Sequence, residues 1–154
     1  MNTRKVGSSI AAFALAILGL AMFAQQGRTH EGEHMDNEAM QACAKACSDC
    51  QRACDGCATH CASLLAGGKK EHLKSLRSCQ DCATTCAAAA QIVARSGPSS
   101  ALICDACAKV CAQCAKECEK FPDDKHMAAC AKECRKCEKA CKAMVTEHDH
   151  DHAK

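Results

Sequence analysis

The chain has no tryptophan, no tyrosine, only three phenylalanines and only two prolines in its 154 residues. Aromatic side chains that would stack on bases are therefore missing, and so is a basic patch: residues 1–24 contain Arg4 and Lys5 but no acid, which leaves 18 basic and 18 acidic side chains beyond them. Both absences argue against a nucleic-acid partner. Large apolar residues are scarce too. Past residue 24 they reduce to Leu64, Leu65, Leu73, Leu76, Ile92, Val93, Leu102, Ile103, Val110, Phe121, Val145 and four methionines. Such poverty ordinarily marks disorder, but buried cysteine behaves as a small hydrophobe and alanine is the best helix former. No strand-like alternation competes with the helical period. The expectation is a folded all-α protein whose apo core is thin.

What the chain has in abundance is cysteine. The eighteen fall in four groups: Cys43, Cys47, Cys50, Cys54, Cys57 and Cys61; Cys79, Cys82 and Cys86; Cys104, Cys107, Cys111, Cys114 and Cys118; Cys130, Cys134, Cys137 and Cys141. Within each group the steps are only 3 or 4. Alternating steps of that size average about 3.5 residues, the period that keeps side chains on one stripe of a helix facing its partners. At about 1.5 Å of rise per residue, the first group makes a row of roughly 27 Å. Cysteine thus occupies the positions where a bundle normally places leucine, and a core lined with thiols points to soft metal as its filling.

Punctuation falls between the groups. Gly67-Gly68 follows the first, Gly97-Pro98 the second, and Phe121-Pro122-Asp123-Asp124 separates the third from the fourth. These are helix stop and start signals. They predict helices near 36–66, 69–95, 99–120 and 123–147, with Asp36 or Asn37 capping the first, Ser99 or Ser100 the third and Asp123 the fourth. Connections this short make consecutive helices antiparallel neighbours, so an up-down-up-down four-helix bundle is the expected architecture. The repeated Cys-Ala-Lys-Glu-Cys of 114–118 and 130–134 suggests internal repetition of a helical unit. Ahead of the bundle, Arg4 and Lys5 precede an uncharged stretch, Val6 to Ala24, the layout of a secretory signal peptide. Cleavage is placed near Ala21, with Ala24 as the other candidate and an uncleaved anchor as the alternative. Arg4-Lys5 is also a degenerate match to a twin-arginine signal, which leaves the export route open. Residues 25–35, with His30, His34 and Met35, and residues 148–154, with His148, His150 and His152, read as mobile tails.

Several chemistries use cysteine. An even count in an exported chain suits disulfides, but disulfide scaffolds tie distant segments, whereas here a thiol recurs at every turn of one helix face. Zinc suits Cys-x-x-Cys and Cys-x-x-x-Cys, yet each four-thiolate site carries a charge of minus two that a core would have to bury without visible cations. Iron–sulfur clusters need turns rather than a continuous helix. A thiol oxidoreductase needs one exposed thiol of low pKa on a scaffold that positions it. Cuprous copper fits best: it is soft, two thiols one turn apart can grip it, and one thiolate per ion leaves a neutral core. With bridging thiolates the capacity is roughly fifteen to twenty ions per chain, the stoichiometry of a store rather than of an enzyme. Disulfide-rich or zinc-binding structural proteins outside the cytoplasm remain the alternative. Met40, Met127 and Met144 each extend a cysteine stripe by one step. In an up-down bundle Met40, Met144 and His34 gather at one end, the candidate metal entrance, while His60, His72 and His126 belong at the other.

These stripes, with Cys57-Ala58-Thr59-His60-Cys61 in the first helix and Cys114-Ala115-Lys116-Glu117-Cys118-Glu119-Lys120-Phe121-Pro122 leading into the fourth, resemble the bacterial copper storage proteins over roughly residues 38–146. The resemblance implies a four-helix bundle, usually a tetramer, that binds many Cu(I) ions through these cysteines and has His and Met residues near one open end. With the leader, the chain is similar to the exported members, which supply copper to periplasmic or membrane copper enzymes. The many cysteines on the first and fourth helices and the histidine tails depart from the family pattern.

Overall fold

The computed structural model describes residues 30–151, with side chains over 38–146. The described residues from Met35 onward belong to one compact unit. The elements are α1 (His30–Ala66), which lies in this unit from Met35 on, a single turn of 3-10 helix (Lys70–His72), α2 (Leu73–Ala94), α3 (Ser100–Cys118) and α4 (Lys125–Asp151). The predicted leader and the outermost tail residues lie outside the described residues. No described helix is long and apolar enough to cross a membrane.

Each helix ends where the backbone, rather than the side-chain pattern, turns. At the end of α1, Gly68 adopts φ of 86°, and the N–H groups of Gly68 and Lys69 donate to the carbonyls of Leu65 (2.9 Å) and Leu64 (3.0 Å). This is a Schellman closure on a glycine that enters the left-handed region without steric cost. The end of α2 repeats it with Ser96 at φ of 51°, while Gly97 donates to the Ile92 carbonyl at 3.0 Å. A Cβ on Gly97 would meet both that oxygen and the Ile92 side chain at 3.1 Å. Glycine is thus needed here for close approach, while the serine takes the strained torsion.

The helix starts differ from the predicted caps. Asp36 and Asn37 lie inside α1, which begins at His30 rather than near 36. Ser99 precedes α3 without a capping side-chain bond, and the Ser100 hydroxyl instead donates to the Gly97 carbonyl at 2.6 Å. Asp124, not Asp123, caps α4: its Oδ1 accepts from the N–H groups of His126 (2.9 Å) and Met127 (3.2 Å). The chain leaves Pro122 in a turn closed by Asp124 N–H onto the Phe121 carbonyl, so helical phase begins one residue later than the sequence suggests. The second segment also starts later, at Leu73, because a 3-10 turn over Lys70–His72 comes before α2.

Sulfur positions fix the topology. Cys47 and Cys54 of α1 lie 3.6 and 3.8 Å from Cys141 and Cys130 of α4, and Cys79 and Cys86 of α2 lie 3.9 and 3.6 Å from Cys118 and Cys107 of α3. Neighbouring helices are therefore antiparallel, as expected for short connections. Diagonal partners meet as well: Cys43–Cys104, Cys50–Cys111 and Cys54–Cys114 across α1 and α3 at 3.9 Å, and Cys86–Cys137 across α2 and α4 at 3.9 Å. All four helices thus bring sulfur to a common axis. Between the thiols, Ala44, Ala58, Ala83, Ala89, Ala90, Ala108, Ala115 and Ala131 are buried and keep the backbones close.

Candidate metal centre

Because each stripe repeats with the helical period, every predicted cysteine points inward. All eighteen are free thiols and none is more than 2% exposed. Quartets whose sulfurs all lie within 4.8 Å of one another include Cys47-Cys107-Cys137-Cys141, Cys50-Cys82-Cys86-Cys111, Cys50-Cys54-Cys82-Cys134, Cys54-Cys114-Cys130-Cys134 and Cys57-Cys79-Cys118-Cys130. Cys50, Cys54, Cys82, Cys130 and Cys134 each belong to two of these quartets. The quartet Cys47-Cys107-Cys137-Cys141 joins the rest through Cys107, 3.6 Å from Cys86 and 3.9 Å from Cys111, so the sulfurs form one continuous column rather than a set of separate four-ligand sites.

Sharing decides between metals on physical grounds. Closed zinc sites each consume four ligands and bring net negative charge into the core. The buried polar or charged side chains among the described residues are His72, Ser75 and Ser100, none of them a lysine or arginine that could balance such charge. Bridging thiolates with one cuprous ion apiece need no such balance.

Without metal, the thiols govern one another's protons. Hydrogen bonding to Cys114, Cys130 and Cys134, together with burial, pushes the Cys54 thiol well above its ordinary value. Hydrogen bonds from Cys111 and Cys134 hold its neighbour Cys50 below. At the end of the column, burial and then the charge on Cys57 push Cys61 up to about 12. A dry sulfur cluster tolerates few isolated anions, so metal must enter in exchange for protons.

The candidate entrance residues are placed in part. Met144 lies one step beyond Cys141 and Met40 one step before Cys43, and the Cys47–Cys141 contact sets both at the same end. Met144 is only 4% exposed, so it is a buried thioether and not a surface one, whereas Met40 is half-buried against the core. The side chain of His34 lies outside the described residues. The opposite end holds more than the sequence indicated. His60 Nε2 meets Asp124 Oδ2 at 2.6 Å, His60 stacks on His126 with ring centroids 4.4 Å apart, and His72 is buried against Phe121 at 4.2 Å. Met127, noted in the sequence only as a continuation of its stripe, is fully buried against Cys57 and Cys61.

Comparison with known proteins gives a consistent result. A family profile described as copper storage protein matches residues 24–146. Among solved structures, a cytosolic copper storage protein from Streptomyces lividans, solved with five coppers, is 34% identical with a TM-score of 0.66, covering 73% of this chain and 97% of that one. The same Streptomyces protein loaded with 10 copper equivalents gives a TM-score of 0.64 at 34% identity, over 71% of this chain and 85% of that one. Cu(I)-bound BsCsp3, a copper storage protein, is 36% identical with a TM-score of 0.64, over 70% and 98% respectively. No curated relative matches the chain.

Proposed function

Because the chain belongs to the copper storage protein family, we propose that it is an exported, non-enzymatic store that holds many Cu(I) ions on the thiolates of its eighteen core cysteines. The observation that carries this reading is the continuous column of sulfurs, with no buried lysine or arginine among the described residues. Solved relatives are described with bound copper. Their cargo suits this donor set, since soft thiolates select Cu(I) and charge stays balanced at one ion per thiolate. Ligands are the whole set from Cys43 to Cys141, shared between ions.

Export rests on the leader at 1–24, and the family match begins at residue 24, where that leader ends. The Streptomyces relative is described as cytosolic; for this chain the leader-like stretch at 1–24 is what supports the periplasm instead. Assembly into a tetramer, delivery to periplasmic or membrane copper enzymes or chaperones, and metal entrance past His34, Met40 and Met144 belong to the same proposal.

Elemental analysis and thiol counting on unreduced protein recovered from its own cells test it together. A store gives copper in large excess over protein and thiols masked until the metal is removed. Disulfides without metal, or a few zinc ions per chain, would replace it with the structural alternative. N-terminal sequencing of the same sample checks export: a chain beginning after Ala21 or Ala24 supports it, and an intact leader in the cytoplasmic fraction refutes it.

A further inference from the structure

Met127 stands one step before Cys130 in the first turns of α4 and is fully buried. Its Sδ lies 3.3 Å from Cys57 Sγ and 3.5 Å from Cys61 Sγ. Those two cysteines are i,i+4 neighbours on α1, so the thioether sits over a pair of thiols that one helix already presents together. The methionine is held in place from behind. Asp124 Oδ1 accepts from the Met127 N–H, and Asp124 Oδ2 pairs with His60, the residue before Cys61. A single carboxylate thereby ties the first turn of α4 to the turn of α1 that carries the thiols.

We propose that Met127, Cys57 and Cys61 form a terminal three-sulfur site for one cuprous ion, closing the column at the end opposite Met40 and Met144. The proposal rests on the storage reading. Leucine would fill the same volume but would offer no lone pair to a metal, whereas thioether is a soft donor that suits Cu(I) and is a poor ligand for zinc. Its value here follows from the desolvated setting. A further thiolate would bring another negative charge into a site whose two cysteines, Cys57 and Cys61, are already buried. A thioether has no proton to lose and brings no charge. Binding exchanges one thiol proton, released to solvent, for one Cu(I), with no change in oxidation state.

One of the three ligands, Cys57, also lines a groove open to solvent. This groove of about 420 Å³ between α1 and α4 is lined by Ala53, Gly56, Cys57, His126, Ala129 and Cys130, among others. At Gly56, which is exposed, an added Cβ would meet nothing within 4 Å, so open space lies over this position. An ion held on Cys57 therefore lies next to this groove, where a chelator can approach it.

The full chain grown with selenomethionine, loaded anaerobically with Cu(I) and read by X-ray absorption at the selenium edge, tests the site beside Met127→Leu. The expected result is selenium–copper scattering that weakens in Met127→Leu. That variant keeps every cysteine and the local volume, so it should take up the same total copper yet yield one equivalent to a competing chelator at least about tenfold more readily. A second chain, with Met35, Met40 and Met144 all changed to leucine, leaves Met127 as the selenium reporter in the bundle and must still show the scattering. High copper uptake with no such scattering in that chain overturns the site and leaves the storage reading standing. Failure of the parent chain to bind copper overturns both.

Discussion

At the scale of the residue, the protein depends on cysteine having two characters. As a neutral thiol it packs like a small hydrophobe, and as a thiolate it is a ligand. Cys61 shows where one gives way to the other: its ordinary value of 9.0 rises to about 12 through burial first and the neighbouring Cys57 charge second. The folded state favours the protonated form. Its stabilisation is therefore complete below pH 9.0 and is lost as pH rises from there toward about 12. The apo protein should accordingly melt at progressively lower temperature as pH is raised from about 8 to about 11, whereas copper-loaded protein, its thiolates already coordinated, should not follow. Thermal melts followed by circular dichroism check this, and a flat apo profile would contradict it. The inward orientation of all the cysteines was legible in the sequence because steps of 3 and 4 leave them no other face. The burial of His72 and Met127 was not, since a lone histidine near a helix start reads the same whether solvated or buried, and a methionine extending a stripe reads the same whether it fills space or binds an ion.

At the scale of the element, helices were legible from the glycine and proline punctuation between cysteine groups, and their termini less so. Asp123 and Asp124 are chemically identical in the sequence, and only the turn after Pro122 decides that Asp124 receives the N–H groups of His126 and Met127. Gly97-Pro98 marked the end of the second helix, yet it is Ser96 that adopts the left-handed torsion, while Gly97 packs closely against Ile92. Two outcomes follow. Asp124→Ala removes the cap and the His60 partner and should cost about 1–2 kcal/mol in denaturant unfolding of the apo protein. Ser96→Gly relieves a positive φ on a non-glycine residue and should be neutral to stabilising, by up to about 1 kcal/mol, in the same assay. Marked destabilisation by Ser96→Gly would show that the serine side chain does more than tolerate its torsion.

At the scale of the whole molecule, four antiparallel helices turn separate stripes into one sulfur column, and the column has two ends of different chemistry. Sequence reasoning found the Met40 and Met144 end from topology alone, while the Asp124–His60 clamp at the other end needed contacts between residues 64 positions apart. Replacing Met40 and Met144 together by leucine preserves volume and should change stability by less than about 1.5 kcal/mol each. Cuprous uptake should slow in stopped-flow loading while final capacity stays intact, and rates equal to the parent would make both residues core filler. The central claim is that the column is a store. Its most direct test is anaerobic titration of the reduced, leader-free protein with Cu(I) against a competing chromophoric chelator. The account predicts an endpoint above about ten ions per chain, largely unchanged when residues 148–154 are deleted. An endpoint of a few ions, or loss of half the capacity on removing that tail, would contradict it.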